Sequence, residues 1–434
     1  MLTKSSIGDT ISRYERDLQM KNGTELKNAF KIGFVCVFTY LACYYLRNVL
    51  GVFTPQMLET GMFDKQGVAL LSSVYMISYA AGQLVNGTLG DYIKPKYMVL
   101  IGLTLSGTAM TVFGFIQLTA VGIACFIVLG LGLSMLRGPL VKVISENTLP
   151  KYARVACVCL SFMSFFGSFV AGLFAIWMKW NTAFVVSGVL SYSMAIFGFV
   201  FLTLLEKRGI IKQVALEKGK KIKIDILGVF KIEKFPIFLL IGMVIEISAT
   251  SINFWIPTYI SEHLGFASNI SGVLFSVISF AKAFCLVLCL PLFKLFREND
   301  VKLVRVMFII ATVFYGAMFF VTNVWLNIIL FIIALMATSI AASTLWSIYI
   351  PSLGKSGKVS SANGVMDSSG YVAAAISNVL FATIMDSFGW NGMIITWGCV
   401  MLFGVVATIF AGMRKKSTEA PTVTETPENP EENS

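Results

Sequence analysis

Residues 37–50 read Val-Phe-Thr-Tyr-Leu-Ala-Cys-Tyr-Tyr-Leu-Arg-Asn-Val-Leu, an apolar run that contains one charge, that of Arg47. The run belongs to a stretch, 30–53, that is long enough to cross a bilayer as a helix. No acidic residue lies within a helical turn of Arg47, and an unpaired guanidinium in hydrocarbon costs roughly 2.5–3.5 kcal/mol even on lenient insertion scales. The stretch therefore predicts a membrane helix whose Arg47 faces a water-filled cavity and a mobile anion.

The whole chain has the composition of a membrane protein. Of its 434 residues 56% are hydrophobic and 13% are charged, whereas a soluble domain carries about 25% charged residues. Only helices and closed barrels satisfy their backbone in lipid, so we predict an all-α membrane protein with twelve transmembrane helices. These spans, numbered one to twelve, cover residues 30–53, 66–89, 97–116, 121–146, 156–178, 182–205, 235–256, 267–292, 303–322, 325–350, 360–384 and 391–413.

The basic residues predict the orientation of the spans. Lys and Arg collect in the amino-terminal arm, in the connections after even-numbered spans and after span twelve, whereas the opposite loops hold Lys65 and Lys179. By the positive-inside rule, both termini are cytoplasmic. The net charge of +11 is thus mainly a topology signal, and no basic stripe typical of nucleic-acid binding is present. We expect a monomeric, multi-pass protein of a bacterial inner membrane, with the lipid bilayer and a small solute as its partners.

A polar interruption divides the spans six and six. We predict a cytoplasmic arm over 1–29, a six-helix bundle over 30–205, a cytoplasmic linker over 206–234, a second bundle over 235–413 and a disordered acidic tail over 414–434. The linker carries nine basic residues. Two interpretations of it remain open, namely an interfacial helix on the anionic inner leaflet and a solvated connection.

The sequence offers no cofactor, metal or catalytic signal. All eight Cys lie in apolar spans without a Cys-x-x-Cys pair, and the only His, His263, falls in a predicted outer loop. Buried cysteines of this kind usually pack as small apolar residues. A Gly-x-x-x-x-Gly-Lys-Ser/Thr loop is also absent, which argues against ATP as the energy source. We therefore predict no cofactor and no enzyme activity.

One predicted cytoplasmic loop resembles a known family. Residues 87–96, between spans two and three, read Gly-Thr-Leu-Gly-Asp-Tyr-Ile-Lys-Pro-Lys. This pattern resembles the signature loop of the major facilitator superfamily, Gly-x-x-x-Asp-x-x-x-x-Lys/Arg. The resemblance implies two six-helix bundles that rock about a central site near the membrane midplane.

The same loop predicts a cytoplasmic gate. Gly87 lets two helices approach, and Asp91 is expected to pair with cationic groups or a helix end across the closed gate. Lys142 and Glu146 of span four are candidate partners, although substrate binding by these two residues is an alternative. The corresponding loop of the second half, 291–297, lacks both Gly and Asp, so we expect asymmetric gate contacts.

Span one resembles a narrower family. Tyr44-Tyr45-Leu46-Arg47 is followed by Pro55, which resembles the organophosphate:phosphate antiporters, a family that includes the glycerol-3-phosphate and hexose-phosphate transporters. Further similarities lie at 255–259, 361–371 and 386–390. The resemblance implies that Arg47 binds a phosphate or carboxylate bidentately and that Tyr44 and Tyr45 bond the anion or line its path. A structural ion pair for Arg47 and simple packing for the tyrosines are the alternatives.

The chain departs from that family in span seven. The family has a second Arg where Ala249 stands here, and Glu246 lies one turn earlier. Lys282, at the middle of span eight, either pairs with Glu246 or supplies the second anion contact. In a third interpretation, Glu246 selects a solute with a cationic end.

Further polar residues in the spans are candidates for the cavity. Asp367 either titrates and couples transport to protons or pairs with Lys282, and Arg137 is a further charge-pair candidate. The other candidate substrate contacts are Tyr75, Asn363 and Tyr371, and Tyr79 and Asn253 are expected to face the cavity.

Together these features predict secondary active transport of a small organic anion, most simply a phosphorylated metabolite exchanged for inorganic phosphate by alternating access. A proton-coupled carrier of a carboxylate, a zwitterion or a drug is the alternative within transport, with Glu246 or Asp367 as the titrating group. A membrane sensor built on a transporter scaffold is the alternative from another class.

Overall fold

The fold is all α-helical, as predicted. The computed structural model describes residues 4–116, 118–212, 230–232, 235–350, 353 and 359–413. The first half contains α1 (Lys4–Glu59), α2 (Lys65–Tyr92), α3 (Pro95–Phe115), α4 (Thr119–Ser134), α5 (Arg137–Asn147), α6 (Pro150–Phe174) and α7 (Trp180–Lys207). The second half contains α8 (Phe235–Glu246), α9 (Asn253–Thr258), α10 (Ser268–Ala283), α11 (Cys285–Leu295), α12 (Asp300–Met318), α13 (Val324–Thr344) and α14 (Val359–Met413).

The prediction of twelve spans is confirmed. Eleven helices in the described ranges are long and apolar enough to cross a membrane. The last of them holds spans eleven and twelve, because the backbone of α14 leaves helical geometry at Gly389 (φ 64°, ψ −165°). Glycine adopts this positive φ without the penalty that a Cβ imposes.

Four spans consist of more than one segment. Span four is α4 followed by α5, and span eight is α10 followed by α11. Span seven, Phe235–His263, contains α8, α9 and two π-helical segments, Ile247–Ile252 and Tyr259–His263. Span ten ends in a third π-helical segment, Leu345–Tyr349.

The polar segments at the two ends of the chain and between its halves are only partly described. Helix α1 begins at Lys4, so the amino-terminal arm is helical from that residue and continuous with span one. Residues 213–229, 233–234 and 414–434 lie outside the described part of the chain. The predictions of an interfacial linker helix and of a disordered tail therefore stay predictions.

Caps and prolines in the sequence set the helix boundaries. The Asp64 side chain accepts a hydrogen bond from the Gly67 amide at 2.7 Å, and Asn299 and Asn323 cap α12 and α13 in the same way. Side-chain caps of this type satisfy the free amides of a first helical turn. Span four breaks after Ser134 because Pro139 has no N–H and its ring crowds the carbonyl group four residues earlier. The break places Arg137 at the start of α5.

The two halves meet on the side predicted to be extracytoplasmic. The Ser73 hydroxyl donates to the Ala375 carbonyl oxygen at 2.7 Å, and the Ser276 hydroxyl donates to the Phe169 carbonyl oxygen at 2.8 Å. At the outer ends of the spans, Lys65 forms an ion pair with Glu262 at 2.8 Å. The structure is therefore closed on the predicted outer side.

Small residues bring span five of the first half close to span eight of the second half. A Cβ atom added to Gly172 would lie 2.2 Å from Ser276 Oγ and 2.3 Å from the Gly272 carbonyl oxygen. One added to Gly272 would lie 2.5 Å from Ala175 Cβ. Small residues let membrane helices approach closely, so this pair allows the outer closure.

Gly172→Val is expected to force spans five and eight apart and to favour opening of the outer side. The measurement is labelling of a single cysteine at Ser73, a buried position on the interface between the halves, by a membrane-impermeant maleimide in an otherwise cysteine-free protein. We expect labelling to be at least about tenfold faster with Gly172→Val, since overpacking typically costs 1–3 kcal/mol. Gly316→Ala is the matched control, because a Cβ there meets nothing within 4 Å. Equal labelling of both variants would contradict this interpretation of the contact.

Candidate functional site

A cavity of about 230 Å³ lies between the two halves. Spans one, two, four and five line it from the first half, and spans seven, eight, ten and eleven line it from the second. It extends to Trp346 and Ser347, near the predicted cytoplasmic end of span ten. Because the outer ends of the halves are in contact, this is an inward-facing arrangement.

The predicted candidates Tyr44, Arg47, Tyr75, Lys282 and Tyr371 all line this cavity. The charge-pair candidates Arg137, Glu246 and Asp367 line it as well. The structure thus brings eight of the predicted residues together. Whether they bind a substrate stays a prediction.

The Arg47 side chain is held by neutral groups from the second half. Its Nη1 donates to Tyr371 Oη, and its Nη2 donates to Thr250 Oγ1 at 3.2 Å. The guanidinium carbon also lies 4.8 Å from the ring centroid of Tyr371 and 5.8 Å from that of Tyr79, within the range of cation–π attraction. In the described part of the chain no carboxylate forms an ion pair with Arg47. Among the described residues Arg47 therefore lacks the structural ion pair that was the alternative, and its role in anion binding stays a prediction.

Glu246 is linked to Arg47 through one hydroxyl group. Thr250 Oγ1 donates to Glu246 Oε2 at 3.2 Å, while the same oxygen accepts from Arg47. The Glu246 side chain packs against Gly370 of span eleven, where an added Cβ would lie only 2.4 Å from Glu246 Cγ. The Glu246 side chain therefore occupies space that is available only because residue 370 is a glycine.

Lys282 is held by an amide. Its Nζ donates to Asn253 Oδ1 at 2.6 Å, and Asn253 Nδ2 donates to Asn48 Oδ1 at 3.4 Å. The pairs of Lys282 with Glu246 and with Asp367, which the sequence left open as alternatives, are not among the ion pairs of the described residues in this conformation. The physical reason is that Asn253, seven residues after Glu246, binds the ammonium group instead.

The charges that line the cavity do not cancel. Three are cationic and two are anionic, as described above, so their formal sum is one positive charge. Asp367 is 3% exposed, and its Oδ2 has no hydrogen-bond partner. Tyr75 is 4% exposed, and its hydroxyl oxygen likewise has no partner. Buried polar atoms are normally paired, so these two point to groups that a solute or water supplies.

Two walls of the cavity are rich in serine and threonine hydroxyl groups, which the sequence analysis did not predict. Span five contributes Ser161, Ser164 and Ser168, and span ten contributes Thr338, Ser339, Ser343 and Ser347. Several donate to carbonyl oxygens of their own helix, as Ser343 does to Ser339 at 2.9 Å, which leaves their oxygens free to accept. Ser161, Ser164 and Ser168 on span five, and Ser339, Ser343 and Ser347 on span ten, are three or four residues apart. This spacing puts side chains on one helix face, and it was the signal in the sequence.

Two predicted substrate contacts lie elsewhere. Tyr45 is buried away from the cavity, where its hydroxyl accepts from Ser187 at 3.1 Å and its ring meets Phe174 edge-on. Adjacent residues point about 100° apart on a helix, and here Tyr44 faces the cavity whereas Tyr45 faces Phe174 and Ser187. Asn363 is half-buried and is not part of the cavity lining. The structure corrects both expectations.

The predicted gate is only partly described. Lys142 and Glu146 lie one turn apart on α5, with Lys142 half-buried and Glu146 exposed. Neither lines the cavity. The surroundings of Gly87 and the side chain of Asp91 lie outside the described part of the chain, so the gate stays a prediction.

Comparison with known proteins gives a family and partial relatives. The family model described as Major Facilitator Superfamily matches residues 36–375. Membrane sensor protein UhpC of Salmonella typhimurium is 28% identical over 76 residues, which are 18% of this chain and 17% of that protein. The Glycerol-3-phosphate transporter of Haemophilus influenzae is 28% identical over 87 residues, 20% of this chain and 18% of that protein. These alignments thus span less than a fifth of each relative's own length.

Solved structures share the fold over most of the chain. A D-xylose-proton symporter superposes with a TM-score of 0.68 at 13% identity, covering 88% of this chain and 97% of that one. A bacterial homolog of the human lysosomal transporter Spinster, in an inward-facing and unoccupied conformation, gives a TM-score of 0.70 at 13% identity, covering 88% and 95%. At this identity the likeness shows the fold alone.

Gly370→Ala is expected to displace the Glu246 side chain and to destabilise the protein by roughly 1–3 kcal/mol, the usual cost of overpacking. The measurement is the thermal unfolding midpoint of the purified protein in detergent. Gly364→Ala on the same span is the matched control, because a Cβ there meets nothing within 4 Å. Adding Glu246→Ala to Gly370→Ala is expected to recover part of the loss. An unchanged midpoint for Gly370→Ala would contradict the described packing.

Proposed function

The chain belongs to the Major Facilitator Superfamily, and from that membership we propose that it carries a small organic anion, a phosphorylated metabolite, in exchange for inorganic phosphate. The membership itself makes it a multi-pass membrane protein and a secondary transporter, not an enzyme. The anionic substrate, the exchange mode and a bacterial inner membrane as the location are parts of the proposal.

One observation carries the proposal, namely two cations held by neutral groups on opposite halves of one cavity. Arg47 of span one bonds a phenol and a threonine hydroxyl, and Lys282 of span eight bonds an asparagine amide. Neither charge is neutralised by a direct carboxylate contact among the described residues. A guanidinium and an ammonium in this state both favour a phosphate group as a ligand.

The position of the two cations suits alternating access. A solute that contacts both halves changes its interactions when the halves rock, and a ligand shifts a conformational equilibrium only when its affinities for the two states differ. Asn48 and Asn253 already connect the halves next to the two cations, at 3.4 Å between Nδ2 and Oδ1. A phosphate bound between Arg47 and Lys282 would join the halves more strongly and favour an occluded state.

The remaining lining fits a polar, hydroxyl-bearing anion. The buried Tyr75 hydroxyl, which has no partner, is able to donate to a phosphate oxygen. The serine and threonine walls of spans five and ten are able to accept from and donate to a polar organic group. The partial relatives include a protein named for glycerol-3-phosphate transport and one named as a probable hexose phosphate transport protein, of Chlamydia trachomatis, which supports the phosphate ester as the class.

A second candidate function is solute sensing. The partial relatives include a protein named as a membrane sensor, and a sensor on the same scaffold would use the same cavity. Purified protein in proteoliposomes separates the two functions. Binding of phosphate esters without any flux would favour the sensor and contradict transport. Uptake that a pH gradient alone drives, with no counter-anion inside, would instead favour a proton-coupled carrier that uses Glu246 or Asp367.

Arg47→Lys is expected to lower the kcat/KM of phosphate exchange by about 10–100-fold. Lysine keeps the charge but loses the planar, bidentate donor set, and a hydrogen bond to a charged group is worth roughly 1.5–3 kcal/mol. The measurement is uptake of radiolabelled phosphate into phosphate-loaded proteoliposomes. Arg305→Lys is the matched control, since Arg305 donates to the Thr408 carbonyl oxygen within the second half and away from the cavity. Exchange at the wild-type rate and affinity in Arg47→Lys would refute bidentate recognition at this position.

Tyr75→Phe and Tyr45→Phe form a matched pair that tests the orientation of the two phenols. Tyr75→Phe is expected to raise the KM for phosphate about threefold to tenfold, because a net hydrogen bond is worth about 0.5–1.5 kcal/mol. Tyr45→Phe is expected to leave the KM unchanged, since its hydroxyl bonds Ser187 outside the cavity. The same exchange assay measures both. The reverse order of effects would show that Tyr45, not Tyr75, reaches the solute.

A further inference from the structure

The cavity has an acidic end as well as a cationic one. Glu246 lies four residues before Thr250 in span seven, and Asp367 lies four residues before Tyr371 in span eleven. Thr250 and Tyr371 are the two groups that bond Arg47. Both spans begin at the predicted cytoplasmic face. Each acid therefore lies about one helical turn nearer that face than the group that holds the guanidinium.

The two acids are close to each other. Glu246 packs on Gly370, which is three residues, or about one turn, after Asp367 on the same helix. Glu246 is 7% exposed and Asp367 is 3% exposed, and both line the cavity. Together they form a buried pair of carboxyl groups on the second half.

An unpartnered atom marks this pair as a ligand site. One oxygen of Asp367 is near Gln83, a side-chain hydrogen-bond partner, whereas Oδ2 has none. The other charged groups on the surrounding spans are Arg47, Arg137 and Lys282, and none of them forms an ion pair with either acid within the described ranges. A buried acceptor without a donor is costly, so the site lacks a hydrogen-bond donor.

We propose that Asp367 and Glu246 bind the ammonium group of a zwitterionic substrate, an aminoalkyl phosphate or a related amino-phosphate, whose phosphate lies at Arg47 and Lys282. This inference rests on the proposed function, because it extends the same cavity by a second subsite. An ammonium group has three donors and no acceptor, and it complements the two carboxylates in charge while it supplies the donor that Asp367 Oδ2 lacks.

The charge balance of the cavity supports the same class. Its lining carries a formal charge of +1. A phosphate ester with two negative charges would leave the occluded complex at −1, whereas the same ester with an added ammonium group leaves it neutral. A net charge at membrane depth is costly, so the neutral complex is favoured.

The test uses three phosphate esters that differ at one end: 2-aminoethyl phosphate, 2-hydroxyethyl phosphate and ethyl phosphate. Each competes with radiolabelled phosphate for exchange in proteoliposomes that contain the full chain. In the wild-type protein we expect the amino ester to reach half-inhibition at a concentration at least about tenfold lower than the other two, as a charge-assisted hydrogen bond implies. Competition by all three at the same concentration, with phosphate exchange intact, would overturn the acidic subsite but not the proposed function. Absence of phosphate exchange would overturn both.

Substitutions test whether Asp367 causes the preference for the amino ester. Asp367→Asn is expected to abolish the preference for the amino ester, measured as the ratio of the half-inhibition concentrations of ethyl phosphate and 2-aminoethyl phosphate in the same variant. Asp386→Asn is the matched control, since Asp386 lies on the same helix, α14, just past the outer end of span eleven, where it is exposed and accepts from Gln66 at 3.0 Å. If Asp367 only balances the charge of Arg137, Asp367→Asn would weaken competition by all three esters equally. An added Arg137→Gln would then restore that competition. This result would contradict the proposal. Should Asp367→Asn fail to fold, the ester series on the wild-type protein decides by itself.

Discussion

The Arg47 guanidinium lies within the membrane-spanning part of the chain, and groups without charge hold it there. Tyr371 and Thr250 supply acceptors from the opposite half, and the rings of Tyr44, Tyr79 and Tyr371 surround it at cation–π distances. Such partners reduce the cost of burial without cancelling the charge. The contact also joins the two halves at the cavity, so the electrostatics of the site and the relative position of the bundles depend on the same few atoms.

The closure of the outer side and the polarity of the cavity have different physical origins. Small residues on spans five and eight bring the backbones of the two halves together, a packing effect that does not need a particular solute. The cavity nearer the predicted cytoplasmic face is lined by charges and hydroxyl groups that pack poorly without water or a ligand. A solute that fills this space therefore acts on the side that packing leaves open.

The sequence predicts the fold of this protein better than it predicts the site. Span number and Arg47 follow from length, hydropathy and the cost of a buried charge, which are properties of single helices. Tyr45 and Asn363 were misplaced because successive residues turn by about 100° around a helix, and the packing of the helices decides which of these directions faces the cavity. The Lys282 pairs failed because Asn253 competes for the ammonium group, and such competition appears only when two helices are packed together. Span seven adds a further difficulty, since its π-helical segments shift the register that counting along an ideal helix assumes.

The fixed charges of the cavity lining also couple the protein to the membrane voltage. Their sum is one positive charge, and a charge that crosses the full field gains or loses about 2.3 kcal/mol per 100 mV. An unloaded carrier that reorients would move this charge through part of the field, whereas a carrier loaded with a monoanion would move none. The membrane potential would therefore change the free energy of reorientation of the empty carrier. It would not change that of a carrier loaded with a monoanion. The monoanion exchange proposed for this chain would then be electroneutral because of the lining charges themselves.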